Sequence, residues 1–153
     1  MNFVEYTVKD RVATIMLNRP DKRNALNEQV VSELKQAFQK AATDSDAKVV
    51  VLAARGAAFC AGADLAYLQQ LQKNTFEENL ADSNHLKELF YQIYTHPKVV
   101  IAKIQGHAIA GGCGLATVCD FSFAVEQAQF GYTEVRIGFI PAIVKVFLLR
   151  KLG

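Results

Sequence analysis

A chain of 153 residues, 51% of them apolar, has the length of one domain and enough apolar side chain to bury a core. Its 17 Lys and Arg against 15 Asp and Glu leave a net charge of +2, too small an excess to argue for a nucleic-acid partner. The N-terminus, MNFVEYTVKDR, carries charges early and lacks an apolar h-region, so it does not read as a secretory leader. Phe3 to Val8 and Arg11 to Leu17 alternate in polarity around Lys9-Asp10, which predicts a β-hairpin. Arg19-Pro20-Asp21 breaks it. Asn27 is a candidate helix cap, and Val30, Val31, Leu34, Ala37, Phe38 and Ala41 follow as one apolar stripe at helical spacing. A strand is expected at 48–54, then helical sequence from about Asp64 to Tyr94 with a break at Lys73-Asn74-Thr75. His96-Pro97 ends that helix, and a strand at 98–104 follows. The apolar stretch 99–119 is interrupted by Lys103, Gln105 and His107, so it does not read as a membrane span. A short helix from about Gly112 to Cys119, a strand at Phe121 to Val125, a strand fragment at Gln129-Phe130 and an apolar helix from Ala142 to Leu152 complete the order. Strands alternating with helices predict an α/β class.

Cys60, Cys113 and Cys119 have no metal-ligand spacing, so no metal site is expected. Their odd number argues against a disulfide framework, and they read as reduced thiols of a cytoplasmic protein.

Two segments carry candidate chemistry. Residues 107–120, HAIAGGCGLATVCD, place Gly111, Gly112 and Gly114 between a strand and a helix. Glycines there let a ligand approach backbone N–H groups at the positive end of the helix dipole. Close strand–helix packing would use the same glycines. Residues 58–65, AFCAGADL, form a second small-residue turn after the strand Val49 to Ala54. Two such turns can aim two N–H groups at one carbonyl oxygen.

With LNRPDKRNAL (17–26), AFCAGADL (58–65), KVVIAKIQGHAIAGGCGLATVCD (98–120) and AQFGYTEVRIGFIPA (128–142) in this order, the chain resembles the crotonase superfamily of enoyl-CoA hydratases and isomerases. The resemblance implies a superhelix of ββα units, with residues 1–153 as its N-terminal core domain. Family members continue into a C-terminal helical region that covers the acyl-CoA site and builds trimers or dimers of trimers. The chain is therefore expected to be a fragment of a longer protein that forms a homo-oligomer. The apolar helix 142–152, nearly without a polar face, fits that expectation.

The resemblance also implies the site. Ala63 and Gly111 match the two backbone donors that hold the thioester oxygen of an acyl-CoA. Lys22, Arg23, Ala25 and Leu26 match the loop along the CoA nucleotide and pantetheine. Ala61, Gly62, Ala63, Asp64 and Leu65 match the loop that meets the adenine end. Asp64 is also a good N-cap for the following helix. CoA would enter as part of the substrate, with no separate cofactor. Of the two glutamates that hold water in familiar hydratases, one matches Glu134 and the other matches Gly114. A single glutamate occurs in Δ3,Δ2-enoyl-CoA isomerases and in bacterial enzymes resembling the methylglutaconyl-CoA hydratases of leucine breakdown. The tail EVRIGFIPAIV (134–144) favours the second group. A hydratase, an isomerase and a non-catalytic CoA-binding paralogue all stand open on these residues. His107 and Tyr132 lie near the site in sequence, and a lone histidine beside a glycine turn is more often a packed hydrogen-bonding residue.

Overall fold

The computed structural model describes residues 1–138 and 140–153; Phe139, inside the 128–142 motif, lies outside the described residues. The hairpin forms as β1 (Val4–Lys9) and β2 (Val12–Leu17), antiparallel with Lys9 opposite Val12. Its turn is Asp10-Arg11, one residue later than the alternation suggests. Both residues hold left-handed φ, 50° and 68°, as a two-residue hairpin turn requires. Helix α1 (Glu28–Thr43) starts where expected, with the Asn27 side chain accepting the Val30 N–H. Every residue of its apolar stripe is buried. Glu33 on the same helix is buried too, and its carboxylate accepts the N–H groups of Asn2, Phe3 and Val4.

The chain then runs through β3 (Val49–Ala54), β4 (Ala58–Cys60), α2 (Leu65–Leu71) and α3 (Phe76–Tyr94). The break between the last two is the expected one, closed by a capping box in which Thr75 and Glu78 exchange hydrogen bonds. Next come β5 (Val99–Ile104), β6 (His107–Ile109), α4 (Gly111–Val118), β7 (Phe121–Ala124) and β8 (Phe130–Gly131). A 3₁₀ turn (Glu134–Ile137) and α5 (Ala142–Leu152) follow. Among the described residues, no helix is long and apolar enough to cross a membrane.

Strand–strand–helix recurs along the chain, as the ββα expectation requires. The first strand of each later unit joins a five-stranded sheet, β1-β2-β3-β5-β7, and the second joins a three-stranded parallel sheet, β4-β6-β8. This corrects the sequence reading in one respect. The two small-residue turns follow β4 and β6, not β3 and β5. Three residues are too few to show a period, so these strands are invisible as pattern. Their parallel pairing brings the two turns to the same end of one small sheet. The core lies between the larger sheet and α1, α3 and α4, with Phe38, Phe59, Phe90, Leu34, Leu52 and Leu115 fully buried.

Candidate active site

Two loops far apart in sequence are bonded side by side. Leu26 N–H donates to the Gly62 carbonyl at 2.7 Å, Asp64 N–H to the Leu26 carbonyl at 2.8 Å, and Ala61 N–H to the Arg23 carbonyl at 3.0 Å. Asn24 holds the first loop in place. It is fully buried; its Nδ2 donates to the carbonyls of Arg55 and Ala58, and its Oδ1 accepts the Arg19 N–H. Those bonds offset the cost of left-handed backbone at Arg23 and Asn24, with φ of 51° and 55°. In the sequence Asn24 is one residue of the 17–26 motif. Its one signal was that Asn tolerates this backbone region better than most residues.

Asp64 caps α2, accepting from Ala66 N–H, and pairs with Arg19 Nη1 at 2.7 Å. Burial pushes its carboxyl up, but the Arg19 hydrogen bond, the Ala66 N–H and the Arg19 charge outweigh this and hold it below the ordinary range. Its carboxylate is thus committed to the scaffold, and Asp64 shapes the loop rather than offering a side chain to a ligand. Arg19, which the sequence marks only as part of the break after the hairpin, also donates to the Ala25 carbonyl.

Because Leu26 bonds the residues on either side of Ala63, the Ala63 N–H points away from that ladder. Gly111 lies close by: a Cβ on Gly111 would sit 3.9 Å from Gly62 Cα, and one on Gly62 would sit 3.5 Å from Gly111 N. Gly62 itself holds φ +90°. Among the described residues, neither Ala63 N–H nor Gly111 N–H donates to a protein acceptor. Gly111 opens α4, whose first turn has no side-chain cap. Ala110 before it holds φ 50° and ψ −120°, a conformation costing of order 1–3 kcal/mol for a residue with a Cβ. Its N–H is anchored on the Gly131 carbonyl at 2.7 Å. The three glycines of the turn therefore divide their roles. Gly111 presents its N–H. Gly112 packs, since a Cβ there would lie 2.2 Å from the Cys60 carbonyl oxygen. Gly114 packs against Val144 and Phe90.

Glu134 stands at the start of the 3₁₀ turn, half-buried, and its Oε2 is buried with no hydrogen-bond partner among the described residues. A carboxylate oxygen left so is costly, and functional sites are where such cost is found. Its charge is felt at Cys113, two residues into α4 from Gly111, and at Tyr132. Burial pushes the Cys113 thiol up, with hydrogen bonds from Tyr132 and Gly131 opposing, and the Glu134 charge adds to the rise. Burial also raises the Tyr132 phenol, whose Oη shares a 2.6 Å hydrogen bond with Thr117 Oγ1. Burial pushes the Cys60 and Cys119 thiols up to about 12. The cysteines thus stay protonated at neutral pH and offer no nucleophilic thiolate.

Of the remaining candidates, Lys22, Arg23 and Leu65 are exposed, while Ala25, Leu26 and Gly62 are buried. Lys22 follows Pro20 and Asp21 in a 3₁₀ turn. His107 is removed from the glycine turn by the length of β6, and its Nδ1 accepts the Gln129 N–H at 3.1 Å. It is an exposed residue bonded to the neighbouring stretch of chain rather than a packed one. Among the described residues, no three His, Cys, Asp or Glu side chains come together as a metal site. A cavity of about 760 Å³ lies beside Tyr132, bounded by Ile109, Gly131, Thr133 and Arg136. The arrangement offers two N–H donors without a protein acceptor among the described residues, in adjoining turns at Ala63 and Gly111, and a carboxylate whose charge reaches the first turn of α4, which suits a reaction that builds negative charge on a carbonyl oxygen.

The model of the enoyl-CoA hydratase/isomerase family matches residues 7–153. A Thermus thermophilus protein named provisionally as an enoyl-CoA hydratase is 45% identical over 145 residues, 95% of this chain and 57% of its own. An enoyl-CoA hydratase of Alternaria alternata is 37% identical over 150 residues, 97% of this chain and 48% of its own. The crystal structure of an enoyl-CoA hydratase from Shewanella pealeana superposes with a TM-score of 0.95 at 36% identity, covering 99% of this chain and 57% of that one. The chain spans about half the length of the curated relatives it matches. Sequence, fold and the paired turns agree: the chain belongs to the enoyl-CoA hydratase/isomerase family.

Proposed function

We propose that the full-length protein adds water across the double bond of an enoyl-CoA thioester. The observation that carries this reading is the pair of unengaged N–H groups, Ala63 and Gly111, held together by the 23–26 and 61–64 loops and the start of α4. The thioester oxygen accepts from both. Water attacks the β-carbon while Glu134 takes its proton, the double-bond electrons move onto the thioester oxygen as an enolate, and Glu134 returns the proton to the α-carbon. Charge on that oxygen peaks at the enolate, where each preorganised donor is worth about 2.7–4 kcal/mol. The CoA portion lies along Lys22, Arg23, Ala25 and Leu26 and along residues 61–65, with Lys22 or Arg23 at its phosphates. CoA is part of the substrate, and no other cofactor takes part.

Gly114 in place of a second acid, with the tail EVRIGFIPAIV, favours a branched, methylglutaconyl-like acyl group. The same single base would serve a Δ3,Δ2-enoyl-CoA isomerase, by moving a proton between two carbons of the acyl chain. The reading includes a cytoplasmic homo-oligomer. Exposed Phe121, Phe123 and Phe130 on the β7–β8 side would be covered in it.

The test is Glu134→Gln in the full-length protein. It keeps shape and hydrogen bonding but removes the base, so kcat for the enoyl-CoA falls about 10²–10⁴-fold while KM changes little. Turnover at the wild-type rate would move the base elsewhere. Asp82 is then the candidate: its carboxyl is pushed up by burial and by the Glu28 charge, and it accepts from Tyr67 Oη. Assaying 2-enoyl-CoA hydration beside 3-enoyl-CoA isomerisation separates the two chemistries, and loss of neither in the variant with no turnover in the parent would mark a non-catalytic paralogue.

A further inference from the structure

Glycine within a helix costs stability and needs a reason. Gly114 does not hold a left-handed φ, so backbone conformation is not that reason. Space is. A Cβ on Gly114 would lie 2.7 Å from Val144 Cγ2, 3.4 Å from Val144 Cγ1 and 3.1 Å from Phe90 Cζ. Val144 and Phe147 are the buried residues of α5, and Phe147 packs edge-on to Phe90 with ring centroids 6.5 Å apart. Helix α5 is therefore seated on α4 and α3, with the two γ-methyls of Val144 pressed against the bare backbone of Gly114. Val144 is 4% exposed, so it has little room to withdraw.

We infer that Val144 is a specificity-determining residue: it occupies the volume through which a carboxylate on α4 would reach the site, and with Gly114 it confines the protein to chemistry with Glu134 as the one acid. The functional half of this inference rests on the reading of Glu134 given above; the steric half does not. On this geometry Gly114→Glu alone does not supply a second acid at the site. The glutamate would meet Val144 at its first carbon. A substrate that carries its own carboxylate needs no acid from α4, which suits the branched acyl group proposed above.

The experiment is a double-mutant cycle in the full-length protein. For the steric half, Gly114→Ala is combined with Val144→Ala, which removes both γ-carbons. Gly114→Ala alone lowers Tm by about 3–10 °C through overpacking. In the Val144→Ala background, adding Gly114→Ala costs less than half of that or raises Tm, because alanine is the better helix former. Additive shifts would overturn the inference at its root. For the functional half, Gly114→Glu is compared with Gly114→Glu/Val144→Ala, using crotonyl-CoA hydration as the readout. The double variant gains at least about tenfold in kcat/KM over Val144→Ala alone, because a positioned acid contributes by orders of magnitude. Coupled Tm values with no such gain would reduce Val144 to a packing partner and overturn its role in specificity. Glu134→Gln in the parent keeps the two readings apart. If that variant retains turnover, the assignment of the base is wrong whatever the cycle returns.

Discussion

Helices α1 and α5 show opposite relations between composition and burial. Helix α1 is polar on average, yet its stripe is buried to the last residue, with Leu34, Ala37, Phe38 and Ala41 at 0% exposure. Helix α5, AIVKVFLLRKL, is far more apolar but buries only Val144 and Phe147, leaving Val146 and Leu149 more than half exposed at 52% and 56%. The difference teaches that apolar content does not decide burial. A surface facing the helix decides it. Helix α1 lies against β1, β2 and α3, so its stripe has partners along its length. Among the described residues helix α5 packs mainly on α4 and α3, and Val144 and Phe147 are the residues it buries there.

The contrast can be broken most directly at Phe38. Phe38→Ala removes a fully buried ring that also stacks edge-on against His96 at 5.8 Å. It should cost about 3–5 kcal/mol in urea unfolding. A loss under about 1 kcal/mol would mean that α1 is not the anchored helix.

Glu33 tests whether α1 is also anchored through its polar atoms. Burial raises its carboxyl, but the N–H groups of Asn2, Phe3 and Val4 and the Gln29 amide outweigh burial and bring it below the ordinary value of 4.5. Since the folded value lies below the unfolded one, Glu33 contributes stability above about pH 4.5, and the contribution is lost as pH falls through the folded value. Glu33→Gln should cost about 1–3 kcal/mol at pH 7. The gap between variant and parent should close below pH 4.5 in unfolding curves taken across pH. A gap that persists unchanged at low pH would show that shape, not charge, holds the N-terminus.

Leu149 is the counterpart on α5. In the 153-residue chain, Leu149→Ala should move stability by no more than about 0.5 kcal/mol, as for other exposed positions. A loss approaching that of Phe38→Ala would show that the outer face of α5 is covered in solution. Sedimentation of both proteins would then report the association that covers it.

Much of this protein is determined by local sequence. The hairpin, the Asn27 cap and α1 stripe, the break before Phe76 and both ends of α5 were legible. Each depends on residues within one or two turns of one another, through period, capping or breaking. The family motifs were legible as well, because they are short and occur in order. Other features were decided only by tertiary structure. Strands β4 and β6 are too short to show a period, yet their pairing is what carries Ala63 to Gly111. Asn24 reads as a loop residue until Arg55 and Ala58 surround it. Gly114 reads as the place of a missing acid until α5, some thirty residues on, places Val144 against it. In each case the deciding contact is with a residue distant in the chain. Local propensity carries no information about which distant atom will fill a given space; packing does.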